Sequence, residues 1–214
     1  MATTSPLPKN AASIGIESRR ERQRQEARRA ILDSTQGLLS ESEGGDFSIR
    51  SLAARCGYSA PTIYHYFGDK DGLLAALLND GMRALASELD ASCQSRDSLE
   101  RLRSILLTFI RFATDHPTFS SLWGTVARQP GTEMPEAYEK VKELLDAPVR
   151  ELIAAGSFNE FDTASAEQVL WAMLHGLITL QMAEPDHPWA PGLAENAVDS
   201  LLRGMTSRSA GTIR

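Results

Sequence analysis

Between Asp46 and Leu74 the chain is punctuated too closely for any long element to form. Ser48 can cap a helix whose apolar stripe is Ile49, Leu52 and Ala53, and Gly57 closes it after about two turns. Ser59 can cap a second helix, with Pro61 early, where a missing N–H costs least. Gly68-Asp69 breaks that helix after Phe67, and Leu73, Leu74, Leu77 and Leu78 begin a long one running to about Ser92. Two short helices joined by a glycine turn and followed by a capped third suit a helix-turn-helix. In that unit the second helix lies in the DNA major groove and the first crosses the backbone.

The second short helix carries matching chemistry. Ser59, Thr62, Tyr64, His65 and Tyr66 offer hydroxyls and an imidazole, able to donate to phosphates or meet base edges. Ile63 and Phe67, four apart, would anchor the opposite face in a core. Lys70 adds a cation at a helix N-terminus, both suited to phosphate.

The run from Gly57 through Tyr58, Ser59, Ala60, Pro61, Thr62, Ile63, Tyr64, His65, Tyr66, Phe67, Gly68, Asp69 and Lys70 to Leu73-Leu74 resembles the hallmark of the tetracycline-repressor (TetR) family. Upstream, Ile31-Leu32 and Ser48 to Ala53 also fit that family's first two helices, so the resemblance covers about residues 22–85. Tyr58 departs from the usual valine and Leu39 from the frequent phenylalanine, and Gly72 weakens the helix linking the two domains. The resemblance implies that Ser48 caps its helix close to a phosphate. It further implies that Ser59, Ala60, Pro61, Thr62 and His65 face the groove, while Tyr64, Tyr66 and Lys70 meet backbone or nearby bases.

Elsewhere the pattern is helical and longer. Residues 1–17 lack periodicity and read as a tail. From Ser18 the composition turns basic, and Arg19, Arg20, Arg22 and Arg24 form a candidate arm for extra phosphate or minor-groove contacts, or else a solvated helix face. Ile31, Leu32, Thr35, Leu38 and Leu39 follow as an amphipathic helix, ended by Gly44-Gly45-Asp46. Further helices are expected over 98–115, stopped by His116-Pro117, and over 119–127. Gln129 to Thr132 reads as a loop, and the next helix, over 135–155, should be kinked or divided by Pro148. Helices over 165–183 and 193–205 complete the series. No segment alternates with period two.

The expectation is an all-α chain: a three-helix helix-turn-helix domain over 18–68, a helical ligand-binding and dimerisation domain over 69–206, and a polar tail over 207–214. With 42% hydrophobic and 23% charged residues, whole-chain disorder is excluded. Cys56 and Cys93 are too few for a disulfide scaffold or zinc cluster, and no metal or cofactor is expected. No apolar run approaches the ~20 residues of a membrane span, so a cytoplasmic location is expected.

Trp171 to Leu177 resembles the Trp…His-Gly segment of one TetR-like C-terminal subgroup, and the His116-Pro117 corner is compatible with it. The family likeness implies an effector cavity, with Phe109, Phe112, Phe119, Trp123, Tyr138, Trp171 and His175 as candidate lining, although taken singly each aromatic reads as core. The last two helices have apolar faces wider than one core needs. Leu170, Leu174, Leu177, Ile178, Gln181, Val198, Leu201 and Leu202 are therefore expected at a homodimer interface. The expected function is a ligand-responsive regulator, with repression of a palindromic operator its expected sign. A ligand-independent DNA-binding protein, an activator or an all-α enzyme are the rivals, and no catalytic motif supports the last.

The net charge of −6 at first argues against a nucleic-acid partner. Its distribution removes the objection. Residues 1–79 hold 10 basic and 9 acidic side chains, whereas residues 80–214 hold 12 and 19. The acidity belongs to the half expected to face away from DNA.

Overall fold

The computed structural model describes residues 10–42, 46–126, 134–158 and 161–206, and among these it contains nine α-helices and no strand. The all-α expectation holds. The chain divides into two compact units at Leu77|Leu78, inside a continuous helix, rather than at the expected break after Gly68.

The N-terminal unit contains α1 (Asn10–Glu41), α2 (Ile49–Cys56), α3 (Ala60–Phe67) and the start of α4 (Lys70–Ser92). α1 begins eight residues before Ser18, in a stretch that contains no proline and a single glycine, Gly15. The Gly44-Gly45 stop and both outer parts of the expected tails, 1–9 and 207–214, lie outside the described residues. Ile31, Leu32, Phe47, Leu52, Ile63, Phe67 and Leu73 form one buried cluster drawn from all four helices and the α1–α2 connection. Thr35 is the buried polar exception, and its Oγ1 donates to the Ile31 carbonyl at 2.8 Å.

Gly72 proves to be a requirement where the sequence suggested a weak point. A Cβ there would collide with the Phe67 carbonyl oxygen, so α4 can start directly after α3 only with glycine at this position. Its N–H donates to Asp69 Oδ1 at 2.7 Å, which caps the new helix.

The C-terminal unit holds the rest of α4, α5 (Ser98–Asp115), α6 (Pro117–Val126), α7 (Glu136–Ala154), α8 (Thr163–Ala183) and α9 (Leu193–Thr206). α5 is central: it packs against α6, α7, α8 and α9. Its side chains from Leu102 to Ala113 are buried on more than one face, as a helix surrounded by others requires. α7 runs unbroken through Pro148. Burial of Leu145, Val149 and Leu152 on both sides of it, at about 1.5–3 kcal/mol each, offsets the ~3 kcal/mol that an interior proline costs. Polar ties reinforce this packing. Arg103 grips Asp199 through two nitrogens, at 2.5 and 3.1 Å, joining α5 to α9. Arg101 and Ser98 both bond Glu151, joining α5 to α7.

Candidate nucleic-acid interface

α2 and α3 are eight residues each and depend on their ends. Ser48 and Ser51 form a reciprocal capping box, with Ser51 N–H donating to Ser48 Oγ at 3.0 Å and Ser48 N–H to Ser51 Oγ at 3.2 Å. At the other end Gly57 takes φ 75°, a left-handed cap that turns the chain toward α3. Ser59 Oγ then accepts from Thr62 N–H at 3.3 Å, and Pro61 occupies the first turn, where it is tolerated.

These caps orient α3. Ile63 and Phe67 point inward and are buried, which sends Pro61, Tyr64 and His65 outward. Tyr64 is 46% exposed, so its ring and hydroxyl are open to a partner. Ser59 is exposed; Ala60 and Thr62 are half-buried at the rim. Ser59 and Thr62 hydroxyls lie 2.8 Å apart, so one donates to the other and only one O–H remains to donate outward. Ser48 is exposed at the start of α2.

Two expected contacts fare differently. Tyr66 is half-buried and packs on the core cluster, its ring 6.2 Å from Phe67 and 5.8 Å edge-on from His65. Lys70 is already engaged. Its ammonium bonds Asp46, donates to the Phe47 carbonyl at 2.8 Å and lies 4.7 Å from the Phe47 ring centre. The hydrogen bond from Lys70 holds the Asp46 carboxyl below its usual range. Lys70 thus pins the α1–α2 connection to the first residue of α4.

The cation that sequence reasoning passed over is Arg50. It is exposed on the first turn of α2, two residues from Ser48, with no ion pair to the described residues. Its signal was present: Ile49, Leu52 and Ala53 inward leave Arg50 outward. Arg55 shares the outer surface but is clamped by Glu41 at 2.5 and 2.8 Å. Arg19, Arg20, Arg22 and Arg24 are exposed on α1, so the expected arm is a helix.

In the C-terminal unit the seven candidate effector residues fall into three groups. Trp171 stacks on His175 at 5.0 Å and meets Phe109 edge-on at 5.7 Å. Phe112 lies edge-on to Phe119 at 5.4 Å and 4.3 Å from the ring of His116, the C-cap of α5. Trp123 stacks on Tyr138 at 5.5 Å. Burial pushes the His175 imidazole below its ordinary pKa, so the ring is neutral near pH 7. Of the seven, Trp171 borders a cavity of about 10 Å³, beside Asp146, Glu167 and Leu174, with room for about one water.

The dimer residues need correction. Leu170, Leu174, Ile178, Val198 and Leu202 are buried in the chain's own core, leaving Leu177, Gln181 and Leu201 partly exposed. α8 has a single charged residue, Glu167, so periodicity could not mark its outer side. That side presents Gln168, Ala172, Gly176, Leu180 and Ala183, all exposed.

Comparison with known proteins agrees with this architecture. The family described as bacterial regulatory proteins, tetR family, matches residues 31–77. The tetracyclin repressor-like C-terminal domain matches residues 102–205. Together they span well over half of the chain, which belongs to the tetR family. Among curated relatives, an uncharacterized HTH-type transcriptional regulator of Mycobacterium tuberculosis is 28% identical over 119 residues, covering 55% of this chain and 58% of the relative. The HTH-type transcriptional regulator EthR of Mycolicibacterium smegmatis is 28% identical over 128 residues, covering 59% and 58%. This chain therefore spans somewhat over half the length of both. A TetR family transcription regulator from Marinobacter aquaeolei shares the fold, with a TM-score of 0.69 at 20% identity over 87% of this chain and all of that one. No described helix is long and apolar enough to cross a membrane, and no described group of side chains could hold a metal.

Proposed function

We propose that this chain is a homodimeric, ligand-responsive transcriptional regulator that represses from a palindromic operator and is released by a small-molecule effector. The observation that carries the reading is the outer face of α3: Ser59, Pro61, Tyr64 and His65 exposed on a helix whose other face is locked by Ile63 and Phe67. An α-helix so presented fits the major groove, with Thr62 and His65 at base edges and Tyr64, Ser48 and Arg50 on phosphates. Lys70 acts first as a structural pin, and one of its three N–H donors is left for a phosphate.

The uncharged, small-residue side of α8 is the surface by which two copies would pair, with Leu177, Gln181 and Leu201 at its edge. A two-fold dimer would set its recognition helices about 34–36 Å apart, or a little more, along a palindrome. The effector acts in the C-terminal unit, among the Phe109–Trp171–His175 group and the cavity beside Trp171. The cavity beside Trp171 has room for about one water, so an effector entering there would have to repack α7 and α8. That gives an effector the unequal affinity for two states that any shift requires.

The test is selection of duplexes from random-sequence DNA followed by variants. Arg50→Ala with Tyr64→Ala should weaken binding across all selected sequences by about tenfold or more, while His65→Ala should change which bases are preferred. Unchanged affinity of the double variant would overturn the site. Release of the selected duplex by a compound that binds the protein tests the effector step.

A further inference from the structure

The basic overhang of α1 has a side, and that side belongs with α3. Arg19 to Glu26 are all exposed, and Ala27 is the first buried residue after them. The tetR-family match begins at Ile31, so this stretch lies ahead of the matched residues. From Arg19 to Arg29 there are six arginines against two glutamates. They are not equivalent. At 100° per residue, Arg20 and Arg24 fall on the same stripe as Ala27, Ile31 and Thr35, the buried face of α1. Arg19, Arg22 and Arg29 point elsewhere. The face that is apolar where α1 meets the core is therefore arginine where α1 runs past it.

The place where it runs past is also defined. The Arg28 guanidinium carbon lies 5.6 Å from the ring centre of Phe67, the last residue of α3. Arg24 and Arg20 follow roughly 6 and 12 Å further along the helix axis. We infer that the overhang of α1 is a rigid phosphate-binding arm, in which Arg20 and Arg24 grip DNA backbone flanking the bases read by α3. The partner is chosen by charge complementarity and by continuity with the α3 surface, and the inference rests on the DNA-binding reading above. A helical arm loses little conformational entropy on binding, unlike a disordered tail. Two guanidiniums one turn apart suit successive phosphates without reading sequence.

The experiment measures salt dependence of binding to duplexes that the wild-type full chain selects from random DNA. Each phosphate contact contributes a slope of about −0.9 in log affinity against log salt. Because the dimer carries two arms, Arg20→Gln with Arg24→Gln removes four contacts per duplex and should flatten the slope by about 3.6, so that between about 50 and 200 mM salt the wild type loses roughly a hundredfold more affinity than the variant. Arg20→Lys with Arg24→Lys should retain the wild-type slope, since a point charge suffices. Arg29→Gln, which removes one charge per chain on the opposite side of α1 where Arg29 faces Asp33, should leave it within experimental error. All these residues are exposed, and thermal melts of the variants should coincide. An unchanged slope in the Gln pair, or an equal per-residue effect from Arg29→Gln, overturns the arm while leaving α3 as the reader. If the wild type selects no duplex at all, the DNA-binding reading falls and the arm falls with it.

Discussion

The eight residues of α3 bury only Ile63 and Phe67, whereas the eighteen of α5 bury eight side chains between Leu102 and Ala113. An isolated helix shorter than about 12–15 residues is marginal in water. α3 is thus stabilised largely at its ends, by Ser59 before it and Gly68 after it, and its outer face is free to carry hydroxyls and an imidazole. α5 is stabilised along its sides by four neighbouring helices and by the Arg101–Glu151 and Arg103–Asp199 pairs. Helices fixed by caps can spend their surface on contacts outside the chain. Helices fixed by packing have little surface left, and respond to change only by repacking.

This contrast makes the largest effect one of packing. Gly81 of α4 sits under the Phe119 ring of α6, and a Cβ at this position would overlap the ring. Gly81→Ala should destabilise the C-terminal unit by about 1–3 kcal/mol through overpacking, even though alanine is the better helix former by ~1 kcal/mol. All three tryptophans, Trp123, Trp171 and Trp189, lie in that unit, so fluorescence-monitored denaturation reads it selectively. Adding Phe119→Leu should recover part of the loss. A Gly81→Ala midpoint at or above wild type would mean that α4 and α6 adjust freely, and the packing side of the comparison would fail.

Ser59→Ala is the matching test of the capped region. Losing this cap should cost about 1 kcal/mol. The change should appear in circular dichroism and in DNA binding, with the tryptophan transition unmoved. If fluorescence shifted equally, the two units would unfold as one and the distinction would be energetically empty.

Caps were legible because they are local. Ser48, Gly57 and Ser59 declare themselves within four residues of what they bond, and so the three short helix boundaries follow from the sequence. The pinning role of Lys70 was not legible because its partners, Asp46 and Phe47, lie 24 and 23 residues away, and nothing near it in the chain reports them. Arg50 was readable from the α2 stripe but was hidden behind the better-known positions of α3. On α8 the difficulty is chemical: with only Glu167 charged, five of the eight expected interface residues on α8 and α9 could as well be core, and they are. Scattered aromatics such as Trp123, Tyr138 and Phe119 showed that the C-terminal unit is aromatic-rich inside. Pairing them into three separate groups required coordinates.

The smallest effect concerns His175, where packing acts on a proton. Its ring is stacked on Trp171 at an interplanar angle of 16°, and burial alone lowers its affinity for protons. In the unfolded chain the group titrates near its ordinary 6.5. As pH falls through that value the unfolded state takes up a proton that the native state resists, so stability is present above about 6.5 and is lost on acidification. The carboxylates of Glu151 and Asp199, lowered chiefly by hydrogen bonds from Ser98 and Arg103 respectively, contribute losses of the same sign. Theirs, however, fall below the ordinary values of 4.5 and 3.8. Tryptophan-monitored midpoints measured from pH 7.5 down to about 5 therefore isolate the histidine. They should decline across that window in the wild type and flatten in His175→Gln. A wild-type midpoint that stayed level would place the imidazole in water. The Phe109–Trp171–His175 group would then be a surface feature, and a packed, effector-responsive interior would have to be sought around Trp123 and Tyr138 instead.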